Sequence, residues 1–195
     1  MDERLDGWLT ALLSTPGLTS LRDPGSAWRI HVDESLAALD VVRRFDGPII
    51  DVGSGGGAPG IPLAAALPDR EVTLLEASGR KCAFLREVAP QFPNVRVLQG
   101  RAEEQEPEAW GVAVAKALAA PPVAAEWCLP LVAPGGSAIL YVGATADPAA
   151  VSHVSELLGG APAEQQPGLL VLRKLGSTPP GFPRRPGVAR KRPLA

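Results

Sequence analysis

Cysteine is scarce in this chain: Cys82 and Cys128 are the two it has in 195 residues. They stand far apart and form no C-x-x-C, which argues against a disulfide framework or a cysteine zinc site, fits a reducing compartment, and leaves no metal expected. No apolar run approaches membrane-spanning length, and the opening MDERLDGWLT places acids where a signal peptide needs positive charge ahead of an apolar stretch. The expectation is a cytoplasmic protein without membrane contact. Proton-transfer side chains are few as well. Tyr141 is the one tyrosine, and His31 and His153 are the only histidines, so the usual proton donors of a dehydrogenase are in short supply. No segment repeats another, which leaves solenoid architectures aside.

What is present suffices for one core. At 195 residues and 46% hydrophobic, the chain is long enough for a complete domain and too short for two ordinary ones. Its net charge of −2 hides an asymmetry: Leu169 to Ala195 holds seven basic residues and no acid, leaving −9 for residues 1–168. A basic end on an acidic body suggests an arm for a polyanion. Two other readings stay open for it, a solvated tail that aids solubility and a strap that packs back on the domain through Phe182 and Leu194.

Apolar spacing divides the chain further. Leu5, Trp8, Leu9, Leu12 and Leu13 recur at helical period, as do Val32, Leu36, Leu39 and Val42. Short apolar runs at Pro48–Val52, Val72–Glu76, Val95–Gln99, Val112–Ala115, Ala138–Val142 and Leu169–Leu172 read as buried strands. Helical patterns lie between them, at Ile61–Leu67, Arg80–Val88, Val123–Leu131 and Val151–Leu158. Such alternation predicts βαβ units and a doubly wound, parallel α/β sheet with helices on both faces. Pro134–Gly136 and Gly159–Pro162 read as loops, and Ser177–Ala195 is too rich in Pro, Gly and Arg for a regular element. The expected division is a short helical cap over 1–45, a Rossmann-like core over 46–176 and a basic tail over 177–195, together one domain.

The most informative stretch runs Ile49-Ile50-Asp51-Val52-Gly53-Ser54-Gly55-Gly56-Gly57-Ala58-Pro59-Gly60. A strand ending at an acid and a glycine cluster, followed by a helix start, brings bare backbone to the carboxyl edge of the sheet, where open α/β sheets bind ligands. Glu76 ends the next strand, where a carboxylate accepts the ribose hydroxyls of an adenosine. Gly55-x-Gly57-x-x-Gly60 matches a dinucleotide fingerprint literally, but three details favour S-adenosylmethionine. Asp51 lies where its carboxylate offsets a positive methionine moiety and would repel a pyrophosphate. Pro59 and Pro62 remove backbone donors that a pyrophosphate needs. The third detail is the dearth of proton donors.

The same residues resemble a known family. Asp51–Pro62, Glu71-Val-Thr-Leu-Leu-Glu76, Gly79-Arg-Lys-Cys-Ala-Phe-Leu-Arg-Glu-Val88, Asn94-Val95 and Gly100-Arg-Ala-Glu-Glu104 are similar, in order, to the glucose-inhibited division protein B family. His31-x-x-Glu34-Ser35-Leu36 is similar to its His-x-x-Asp-Ser-Leu segment, and Leu18-Thr19 to its Asn-Leu-Thr. The end, Arg173-Lys174, Thr178-Pro179, Phe182-Pro-Arg-Arg185, Gly187 and Lys191-x-Pro-Leu194, resembles its basic terminus. The resemblance implies a class I S-adenosylmethionine-dependent methyltransferase that acts on N7 of a guanine in small-subunit (16S) ribosomal RNA, free or in an assembling subunit. It also implies cofactor contacts at Gly53, Ala58, Ala102, Glu103 and Lys116, which join Asp51, Gly55 and Glu76 from the loop reading. Arg184, Arg185, Arg190, Lys191 and Arg192 are the expected RNA contacts. This chain departs from the family in three places: Lys116 stands where it usually has arginine, giving up the planar fork, Tyr141-Val142-Gly143 replaces its Leu-Lys-Gly, and the N-terminal helix region is short.

The chemistry agrees with that target. Guanine N7 has a lone pair and no proton, so no general base has to be found, and positioning alone is worth about 7–11 kcal/mol in favourable cases. Ala119-Ala120-Pro121-Pro122-Val123 lacks the amide and ring expected for adenine amino-group methylation, and Cys128 reads as core rather than as a cytosine-attacking nucleophile. Trp8 and Trp127 read as core, His31 as a cap or packing residue, and Arg80 and Lys81 as exposed charges. A small-molecule or protein-directed methyltransferase, or a non-catalytic protein of the same fold, is the alternative.

Overall fold

Alternation of apolar side chains along β1 (Ile49–Val52) explains the architecture: Ile49 packs into one core and Ile50 into another, so both faces of the strand are covered. In this computed structural model, which describes residues 2–195, the same holds along β2 (Val72–Glu76), β4 (Trp110–Lys116) and β5 (Val132–Tyr141). With β3 (Val95–Gln99), β6 (Glu164–Gln166) and β7 (Leu169–Arg173), the described strands form one sheet in the order β3-β2-β1-β4-β5-β7-β6.

Strands β1 to β5 are parallel, but β7 runs antiparallel to β5, and β6 antiparallel to β7. The expectation of a wholly parallel sheet is corrected here. Pro167 and Gly168, the latter at φ +73°, make a two-residue turn that folds β6 back on β7, so the last apolar run enters the sheet reversed. The strand β6 itself, Glu-Gln-Gln, escaped the apolar pattern because it is a polar edge. Pro134–Gly136, expected as a loop, lies inside β5 as an irregularity: Val132 pairs with Trp110 but Ser137 already with Val112.

Helices cover both faces. In chain order they are α1 (Glu3–Ser14), α2 (Pro24–Trp28), α3 (Glu34–Leu36), α4 (Leu39–Val42), α5 (Gly60–Ala66), α6 (Gly79–Val88), α7 (Pro121–Cys128), α8 (Pro148–Leu157) and α9 (Val188–Lys191). The helix α1 begins with an Asp2 side chain capping Arg4 N–H, and it buries Leu5, Trp8, Leu9 and Leu12. Met1, part of the expected cap, lies outside the described residues.

The period of Val32, Leu36, Leu39 and Val42 predicts one helix, yet the backbone there is broken into α2, a π-helical turn at Arg29–Asp33, α3 and α4. The cause is competition for carbonyls. Lys116 Nζ donates to Ile30 O at 2.5 Å, and the Tyr141 hydroxyl donates to Ser35 O. Both donors come from the carboxyl ends of paired strands β4 and β5, and each takes an oxygen that the next helical turn would otherwise use. The tail is likewise more ordered than its composition suggests. It contains α9, entered through Gly187 at φ +81°, and Ala189 is buried.

Among the described residues no helix is long and apolar enough to cross a membrane, and no group of three or more His, Cys, Asp or Glu is placed to hold a metal ion.

Candidate functional site

Between Val52 and α5 the chain turns through Gly53, Gly55 and Gly57 with φ of +75°, +58° and +107°, a path that side-chain-bearing residues rarely take. Backbone donors lock the turn to the neighbouring strand: Gly53 N–H and Ser54 N–H both donate to Leu75 O, at 2.8 and 3.0 Å. Glu76 completes the clamp. Its Oε2 accepts from Gly55 N–H at 3.0 Å and its Oε1 from Ser78 N–H at 2.8 Å.

The glycines serve different ends. A Cβ on Gly53 would meet Leu118 at 2.3 Å, one on Gly57 would meet Ile61 at 2.5 Å, and one on Gly60 would meet Leu74 at 2.3 Å. These three are demanded by packing. At Gly55 a Cβ would find nothing nearer than 3.9 Å, so here the bare backbone faces open space, as a ligand-contacting loop requires.

Two supports hold the loop from below. Trp8, 0% exposed on α1, donates its indole N–H to Gly56 O at 2.8 Å. The N-terminal helix is thereby tied to the loop across 48 residues of sequence, a role beyond the core packing expected of Trp8. Asp51, 1% exposed, accepts from Gly60 N–H at 2.9 Å through Oδ2, while its Oδ1 is buried with no partner. Burial drives its pKa up to about 7. Asp51, expected as a cofactor contact, lines neither cavity at the loop and lies beneath it.

Two cavities flank the loop and share Gly53, Lys81 and Ala117 in their walls. The first, about 350 Å³, brings together Gly53, Glu76, Ala102 and Glu103 with Leu118 and Trp127. The second, about 260 Å³, is lined by Gly53, Gly55, Ala58, Lys116 and His31. The expected site residues are thus divided between two adjoining spaces. Lys81, expected as an exposed charge, borders both.

The second cavity gathers the N-terminal motif. Lys116 Nζ lies 3.1 Å from Glu34 Oε2, and His31 Nε2 lies 3.2 Å from Thr19 Oγ1. The His31 ring stands edge-on to Trp8, with centroids 6.5 Å apart. Burial, and then the charge of Lys116, hold the His31 pKa below its usual range, so the ring stays neutral at physiological pH.

The tail residues separate in the same way. Arg184 makes a bidentate ion pair with Glu126 on α7, both contacts at 2.5 Å, and is committed to the domain rather than offered to a phosphate. Its Nη2 also donates to Arg192 O at 3.0 Å. Arg185, Lys191 and Arg192 are exposed. Arg190, also exposed, lines the first cavity, with its guanidinium carbon 5.6 Å from the Trp127 ring centroid. Sequence reasoning missed Trp127 and Arg190 as cavity walls. Helical spacing does place Trp127 on α7, but no local signal announces that a residue 63 positions later covers it.

The chain is similar to known proteins along most of its length. A family model described as rRNA small subunit methyltransferase G matches residues 7–157. The ribosomal RNA small subunit methyltransferase G of Synechococcus sp. (strain JA-2-3B'a(2-13)) is 35% identical over 208 residues, covering 92% of this chain and 79% of that protein. The protein of the same description from Moorella thermoacetica is 34% identical over 216 residues, covering 100% and 89%. Among solved structures, the S-adenosylmethionine-dependent methyltransferase SibL superposes with a TM-score of 0.63 over 86% of this chain and 62% of its own, at 16% identity. That last likeness is one of fold.

Proposed function

Because this chain belongs to the rRNA small subunit methyltransferase G family, we propose that it transfers the methyl group of S-adenosylmethionine to N7 of a guanine in small-subunit (16S) ribosomal RNA. The observation that carries the reading is the pair of cavities meeting at Gly53, Lys81 and Ala117. Methyl transfer needs donor and nucleophile to meet at one point, and two adjoining spaces with a common wall support that reading.

The residues fit the cofactor. Open space at Gly55, a carboxylate at the end of β2 and a buried acid under the loop match, in turn, a backbone contact, a ribose and a positive charge. Glu76 would take the ribose hydroxyls with the lone pairs its two backbone donors leave. Ala102 and Glu103 would border the adenine, and Gly53, Gly55 and Ala58 would face the methionine moiety. Asp51 acts on that moiety through space. When bound, S-adenosylmethionine supplies an electrophilic methyl group on a sulfonium.

The guanine belongs in the part of the second cavity lined by His31 and Lys116, beyond the loop residues Gly55 and Ala58 that face the methionine moiety. N7 attacks with its own lone pair; the carbon–sulfur bond breaks, the methylated base keeps the positive charge, and no proton leaves. The neutral His31 suits this, since it adds no charge beside a developing cation. Glu34 pairs Lys116 and offsets it in the same way. Arg185, Lys191 and Arg192 would hold phosphates around the entrance. In this reading cap, core and tail act as one domain, in the cytoplasm, on ribosomal RNA or an assembling small subunit.

The test is to supply purified protein with methyl-labelled cofactor and small-subunit RNA, either naked or in subunits, and then to map 7-methylguanosine. Label at N7 of one guanine supports the reading. Label on protein or small molecules alone, or on another base atom, overturns it.

A further inference from the structure

Beyond Thr178, whose N–H donates to Glu108, the basic tail is tied to the domain at further places, two of which involve residues that line the first cavity, Glu103 and Trp127. Arg184 grips Glu126, which is 2% exposed, with two hydrogen bonds of 2.5 Å. Gly187 N–H donates to Glu103 Oε1 at 3.0 Å. Ala189 is buried, and Arg190 lies over Trp127, both on the cavity wall in the case of that last pair. Phe182 and Leu194, on either side of this stretch, pack against the core that contains Ala102.

We infer that residues 182–194 are a strap that forms part of the cofactor site, with Arg190 and Trp127 as cofactor-positioning residues at its adenine end. The inference rests on the reading of the first cavity as the S-adenosylmethionine site. Physical grounds favour a strap over a solvated tail. A bidentate ion pair whose acid is almost wholly buried cannot be released without leaving Glu126 uncompensated. The guanidinium face over an indole covers apolar surface that would otherwise meet water. Glu103 is the most direct link: the residue that borders the adenine is oriented by a backbone donor from the strap.

A strap of this kind acts mainly on release. A bound adenosyl group would be bordered by Glu103, Trp127 and Arg190, so weakening an anchor of the strap should speed dissociation more than it slows entry. The tail then has two duties that share one segment: Arg184 and Arg190 hold the cofactor side, while Arg185, Lys191 and Arg192 face outward.

The experiment uses the full chain and S-adenosylhomocysteine as probe, with dissociation followed by stopped-flow competition. Arg190→Ala should release the probe about fivefold faster, and Glu126→Gln about tenfold faster. Arg173→Ala, which removes an exposed charge from β7 outside the cavity, should leave the rate unchanged. Free adenosine should lose affinity in parallel in the two strap variants, a change that loss of stability alone does not produce in protein shown by circular dichroism to be folded. Should Glu126→Gln fail to fold, Arg190→Ala decides by itself. Wild-type release rates in folded variants overturn the strap. If the wild-type protein binds neither probe, the reading of the cavity falls instead, so the two failures are distinguishable.

Discussion

The two cavities share a wall yet are built from different parts of the chain. The first is bordered by the ends of β2 and β3, by α7 and by the C-terminal strap; the second is bordered by α1 through Leu12, by the broken helical segment through His31, and by Lys116. One therefore draws on the last residues and the other on the first, with the glycine loop between them pinned by Trp8 on one side and Glu76 on the other. The division separates two tasks. In the proposed reading the cofactor would be held by backbone and by carboxylates at strand ends, whereas the pocket assigned to the nucleophile draws also on elements outside the sheet.

The sharpest way to break the comparison is Gly55→Val. A branched side chain on backbone at φ +58° fills the open space above the loop without a packing clash, so cofactor affinity should fall by at least about a hundredfold while the protein stays folded. Calorimetry and circular dichroism on one sample check it, and a folded variant with native affinity removes the loop from the site. Lys116→Ala should do the reverse. It removes one of the second cavity's two cations, leaves Glu34 without its ion-pair partner and frees Ile30 O, so methyl transfer should drop about tenfold to a hundredfold with cofactor affinity little changed. Equal loss of both would mean that the two cavities are not functionally distinct.

The tail gives a smaller and more graded effect. Replacing Arg185, Lys191 and Arg192 together with alanine should flatten the slope of log RNA affinity against log salt by about 2, at roughly 0.7 per phosphate on single-stranded contacts. Arg184 is left out of that count because Glu126 holds it. Truncation of residues 184–195, by contrast, should also lower the melting temperature and speed cofactor loss, since it removes the strap together with the charges. An unchanged slope in the triple variant would leave the tail with its structural duty alone.

How far these regions could be read in advance follows from the range of the interactions. The glycine loop, Glu76 and strands β1 to β4 announce themselves because short apolar runs and a strand–glycine–helix junction are local signals. The broken N-terminal helix does not. Its period is helical throughout, and the break comes from Lys116 and Tyr141, over eighty residues away. Strand β6 is silent for want of apolar residues, and Arg190 reaches Trp127 only through a chain path that no spacing records. Asp51 was legible as a charge but not as a buried one: the sequence places an acid before the glycines, whereas its burial depends on how α5 caps it.

That burial leads to the smallest effect and the one with a definite sign. Asp51 has a pKa of about 7 in the folded protein, mainly because burial disfavours its charge; unfolded, it would titrate near 4. Between those values the folded state keeps a proton that the unfolded state has given up. This group's contribution to stability therefore falls as pH rises from about 4 to 7 and is level above that. Cofactor binding should run the other way. A sulfonium and an ammonium set above the carboxylate favour its ionised form, so the bound protein holds the proton less tightly and affinity rises with pH up to about 7. Working between pH 5.5 and 7 stays below the range in which an α-amino group loses its own charge, roughly pH 8. Over that interval affinity for S-adenosylmethionine should increase about threefold to tenfold. Asp51→Asn keeps an oxygen for Gly60 N–H and removes the titration, so both slopes should vanish together. If the stability slope disappears in the variant while the affinity slope survives, the carboxylate under the loop is a structural cap only, and the charge that meets the cofactor has to be sought at Glu76.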